Sequence, residues 1–100
     1  MNNMTEEKER LNQELIKQAK NGDHLKVVEL FKGEVKPDVS AVDKDWRTAL
    51  HHTATFNDLR TTKVLLAAGA DVHATDREGI TPLDLAWGET KELFFKHETI

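Results

Sequence analysis

Apolar residues recur along this chain at helical spacing. Leu11, Leu15, Ile16 and Ala19 fall on one stripe and predict a first helix, which the charged run from Glu6 to Arg10 extends into solvent. Leu50, Thr53 and Ala54 form a narrower stripe of small and apolar residues, suited to close helix packing. Leu59 through Ala68 reads as a further helix with Leu65 and Leu66 inward, and Gly69 supplies its C-terminal stop. Thr48 and Thr81 each precede an apolar segment, where a hydroxyl can accept from the free amides of a first helical turn. Pro82, just inside the second of these starts, needs no amide hydrogen and already has a helical φ.

The pattern repeats. The segment from Asp43 to Leu50 lies over that from Asp76 to Leu83, with Asp, Thr and Leu coinciding 33 residues apart. Upstream, Asp38, Val39 and Ala41 lie over Asp71, Val72 and Ala74 in the same register. A second register, 35 residues long, sets Leu15, Ala19, Gly22, Val27, Leu30 and Phe31 over Leu50, Ala54, Asn57, Thr62, Leu65 and Leu66. The two extra residues belong in the turn-rich stretch 32–37. Asn57 stands where the first unit has Gly22, a turn position that accommodates a left-handed residue. Asp43 and Asp76 recur at matching loop positions and read as turn residues rather than an acid/base pair.

Thr48, Ala49, Leu50 and His51, the run from Gly69 to Val72, and the run from Asp76 to Leu83 together resemble the ankyrin-repeat signature. The resemblance implies an all-α solenoid of stacked helix–turn–helix units with projecting hairpin-like loops. One such unit cannot bury its apolar face alone, whereas stacked neighbours can. The expected division is a single domain with an N-terminal cap repeat at 5–42, a complete repeat at 43–75 and a shortened C-terminal cap at 76–97. His51 occupies a position the resemblance assigns to a structural hydrogen-bonder between neighbouring loops.

Three departures stand out. Trp46 replaces the loop glycine represented by Gly79, so either this turn differs or it tolerates the strain of a bulky residue at positive φ. Several residues of the interhelix turn are missing after Gly88, which leaves Phe94 or Phe95 to seal the end of the core. Trp87 aligns with Ala54, a tight interior position, and is expected to be mostly core.

Composition narrows the function. A formal charge of −4, with no basic cluster, argues against nucleic-acid binding. The absence of cysteine excludes disulfides and thiolate metal sites. The longest apolar run, Val64 to Ala68, is far short of the roughly 20 residues that span a bilayer. The start has no apolar stretch of the secretory type, and a soluble cytoplasmic protein is the expectation. His51 and His52 are adjacent and so do not form the i, i+4 pair of a helical zinc site; His24, His73 and His97 are scattered and expected to face water. No catalytic motif, cofactor loop or metal constellation is present, so no enzyme, cofactor or metal is expected.

The resemblance implies a non-catalytic module that binds a partner protein through loop tips and the exposed side of each first helix. On this sequence those positions are Lys44, Asp45, Trp46, Arg47, His52, Thr55, Phe56, Arg77, Glu78 and Ile80. Trp46 has two readings, an exposed hot spot beside Arg47 or a side chain folded over the neighbouring loop. Phe56 likewise either faces the groove or fills a gap between units. Two alternatives remain beside a monomeric binding module. One is a small inhibitor or immunity-type protein whose acidic balance suits a basic enzyme. The other is an assembly element that self-associates through its ends.

Overall fold

The computed structural model describes residues 3–98, which form six helices in sequence. These are α1 (Asn3–Asn21), α2 (His24–Leu30), α3 (Ala49–Thr55), α4 (Leu59–Ala67), α5 (Pro82–Leu85) and α6 (Gly88–Glu98). Helices α1, α3 and α5 pack side by side as one layer, and α2, α4 and α6 form a second layer behind them. Among the described residues the only β-type pairing is an isolated antiparallel bridge between Val42 and Thr48, at the neck of a loop.

The periodic stripes become the core as expected. Leu15, Ala19, Leu50 and Ala54 come from the front layer and Val27, Leu65 and Leu66 from the back layer, joined by Ala70 and Val72. Thr53, Thr61, Thr62 and Thr90 are also buried, so the interior is small and partly polar.

Four of the six helix starts have a local cause. Thr48 and Thr81 cap α3 and α5 through their hydroxyls, and Pro82 opens α5. Asp23 and Asp58 cap α2 and α4 in the same way, accepting from the amides of Lys26 and Thr61. Between the paired helices stands a left-handed residue in every unit: Gly22 at φ 71°, Asn57 at 53° and Gly88 at 58°. Asn is, after glycine, among the residue types that most readily occupy this region.

That marker corrects the expected placement of Trp87. Trp87 precedes Gly88 as Phe56 precedes Asn57, so its counterpart is Phe56 and not Ala54. Leu83 and Gly88 are closer in sequence than Leu50 and Asn57, and the deletion falls largely inside α5, reduced to Pro82–Leu85. Trp87 is therefore 53 % exposed, while Ala86 is buried in its stead. The shortened unit also lacks a cap of its own for α6. Asn57 of the preceding repeat supplies one, its Oδ1 accepting from the Thr90 amide at 3.2 Å. Phe94 is completely buried and seals the core, whereas Phe95 is exposed.

Candidate functional site

Two loops project from the front layer, Asp43 to Thr48 before α3 and Asp76 to Thr81 before α5. Each is organised by its aspartate. Asp43 Oδ1 accepts from the amides of Asp45 (2.8 Å) and Arg47 (3.1 Å). Asp76 Oδ1 accepts from those of Glu78 (2.8 Å) and Ile80 (2.9 Å). Burial alone would raise the Asp43 carboxyl, but hydrogen bonds from His52 and the Arg47 and Asp45 amides outweigh it and hold the pKa below 3.8. The Asp76 carboxyl is also held low, chiefly by the Ile80 amide, with Glu78 and Arg47 contributing. Both aspartates are thus loop organisers, as their recurrence suggested.

The loops are also bonded to each other. Arg47 Nε donates to Asp76 Oδ2 at 3.3 Å. The Arg77 amide donates to the Asp45 carbonyl at 3.1 Å, and Arg77 Nε to the Lys44 carbonyl at 2.9 Å. The Arg77 guanidinium then lies 5.2 Å from the centroid of the Trp46 ring, within cation–π range.

His51 ties the loops together from beneath. Its Nδ1 accepts from the Thr48 amide at 3.0 Å, so the proton sits on Nε2, which donates to the Ile80 carbonyl at 2.8 Å. The side chain is completely buried, and its expected structural role is what the geometry provides. His24, expected to face water, is partly buried; His73 and His97 are exposed.

Trp46 adopts φ 64° where Gly79 has 78°. The two turns do not differ, so strain is tolerated. A left-handed non-glycine residue costs roughly 1–2 kcal/mol. Trp46 is 53 % exposed and at the same time stacked with Arg77 of the neighbouring loop.

The other expected site residues fall into two groups. Lys44, Asp45, Arg77 and Glu78 are exposed around Trp46, and Arg47 lies partly buried among them. Ile80 is half-buried, with its carbonyl taken by His51. His52 is largely covered, its Nε2 donating to Asp43 Oδ2 at 2.8 Å. Burial lowers its pKa below 6.5, against the opposing pull of Asp43. Thr55 is exposed, but its hydroxyl donates back to the His51 carbonyl. Phe56, 61 % exposed, stands at the far end of α3, apart from the loop tips.

Trp87 joins Phe56 there. Its indole Nε1 donates to the Thr55 carbonyl at 3.0 Å, an acceptor the ending helix leaves open. Sequence reasoning missed this aromatic pair because it aligned Trp87 by Leu83 rather than by the left-handed glycine that follows it. It also passed over Lys17 and Lys20, which with Asp43 line a shallow depression of about 220 Å³ between α1 and the first loop. Among the described residues no group of three or more His, Asp or Glu is placed to hold a metal ion. Among the described residues no helix is long and apolar enough to cross a membrane.

The stacked helix pairs, the aspartate-organised loops and the buried His51 bridge agree with a comparison against known families. The family described as ankyrin repeats (many copies) matches residues 34–86, from the loop after α2 through α5. The match spans α3, α4, α5 and both loop tips, just over half of the chain, and this protein belongs to the ankyrin-repeat family.

Proposed function

We propose that the protein binds a partner protein through the bonded loop tips, with Trp46 as the central contact and Lys44, Asp45, Arg47, Arg77 and Glu78 around it. Ankyrin repeats are in general non-catalytic protein–protein interaction modules. The observation that carries the assignment is Trp46. It holds a strained conformation that Gly79 adopts freely, yet its ring remains half in water. Strain that folding does not require, kept at an exposed aromatic, is the mark of a residue retained for recognition. Arg77 pre-orders the ring, which lowers the entropy lost on binding. Phe56, with Trp87 beside it, provides a second aromatic contact at the other end of α3.

Substituting Trp46→Gly with Phe56→Ala tests the reading. Affinity capture from the cells that make the protein should lose its partner, while far-ultraviolet circular dichroism stays helical. Capture undiminished by the double variant would sink the assignment.

A further inference from the structure

A groove of about 630 Å³ lies between the ends of α2 and α4 and the loop that follows α2. Its origin is the irregularity of the first repeat. With Leu30 and Phe31 over Leu65 and Leu66, α4 continues to Ala67 while α2 has ended at Leu30, and the chain departs through residues 32–37. The last turn of α4 therefore faces this loop rather than a helix. From α4 and the residue after it, Val64, Ala67 and Ala68 line this space, and the two alanines are too small to fill it.

The floor is apolar. Phe31, Val39 and Val64 are partly buried and packed against the core. A volume of this size is in the range of small-molecule sites. The lining carries two ammonium groups, Lys8 and Lys36, against a single carboxylate, Asp38. Asp38 Oδ1 is already engaged by the Ser40 amide at 2.9 Å. Neither lysine has an ion-pair partner among the described residues. The walls offer no sheet edge to a peptide backbone, which leaves apolar contact and positive charge as the means of recognition.

We propose that this groove binds a small amphipathic carboxylate, its apolar chain on Phe31, Val39 and Val64 and its anionic head paired with Lys8 and Lys36. The assignment is independent of the loop tips and stands or falls separately from them.

Decanoate, below its micellar concentration, is the probe, and decyltrimethylammonium its counterpart of opposite charge. Titrated into the full chain, decanoate should produce saturable amide shifts at Phe31, residues 36–39 and Val64 to Ala68; the cation should produce none. Lys8→Glu with Lys36→Glu should weaken decanoate binding at least about tenfold and admit the cation instead, a reversal that a merely structural role for the lysines would not produce. Ala67→Phe, which fills the groove from an exposed position, should remove binding with circular dichroism unchanged. Equal response to both amphiphiles, non-saturable shifts, or shifts centred on Trp46 and Phe56 would overturn the proposal. If the charge-reversed variant does not fold, the two probes on the native chain and on Ala67→Phe decide.

Discussion

The loops that begin at Asp43 and Asp76 share one hydrogen-bond frame and differ in what they do with it. In each, the aspartate amide pairs with the carbonyl four residues on, at 3.0 Å to Arg47 and 2.9 Å to Ile80. In each, a threonine closes the loop and starts a helix with a reciprocal capping box. The left-handed position holds Trp46 in the first and Gly79 in the second. The first loop also reaches across, through His51 and Arg47, whereas Asp84, the counterpart of His51, bonds back only to its own Thr81 amide. A repeat frame is therefore tolerant at its tip and demanding beneath it. Side chains below the tip and Arg77 at the tip both join the units, while the left-handed tip position itself accepts either tryptophan or glycine.

The largest effect should come from breaking the bridge beneath the loops. His51→Leu leaves the buried Thr48 amide without a partner and the Ile80 carbonyl with the Asp76 amide alone, and should cost about 2–3 kcal/mol in urea unfolding. Asp84→Ala, which removes only a local cap, should cost about 1 kcal/mol. Equal losses would mean that the two positions do the same work and that His51 does not couple the units.

An intermediate effect measures the tip. A Cβ on Gly79 meets nothing within 4 Å, so Gly79→Ala isolates the cost of positive φ. It should destabilise by about 1 kcal/mol. Trp46→Gly should remain within about 0.5 kcal/mol of the native chain, because relief of the same strain offsets the lost contact with Arg77. A large loss at Trp46→Gly would recast Trp46 as a packing residue.

The smallest effect near neutral pH is electrostatic and distinguishes the first loop. His52 has a lowered pKa, so the folded state binds fewer protons than the unfolded one. Its contribution is complete above pH 6.5 and is lost as pH falls through the folded value. Both aspartates are lowered as well, and their contributions persist to more acidic conditions, fading as pH falls from 3.8 through their folded values. His52→Gln should flatten the stability profile immediately below pH 6.5 and reduce, without abolishing, the acid limb, since the Arg47 and Asp45 amides still hold Asp43 low and Asp76 does not depend on His52. A slope unchanged by that substitution would assign it to another group.

Much of the fold was legible because it is locally encoded. Helical stripes, threonine caps, Pro82 and the repeat of Asp43 at Asp76 each act within a few residues, so composition and spacing were enough to predict α1, α3 and α4 and the loop turns. His51 was legible only through the ankyrin resemblance, which assigns its position to a hydrogen-bonder between neighbouring loops, because its Ile80 partner lies 29 residues away. Trp87 was not. Its placement depends on where a deletion falls within α5, which only the left-handed Gly88 and the seating of Ala86 reveal.

The sequence by itself determined an all-α helical repeat of the ankyrin kind, because periodicity and capping are short-range properties of the chain. Only the tertiary structure decided that Trp46 keeps the strained turn, that Asn57 caps a helix of the next unit, and that Trp87 joins Phe56 at the surface. It also decided that the extra residues after α2 open a groove. Each of these rests on contacts between repeats, where a side chain's partner is set by how the units stack and not by its neighbours in sequence.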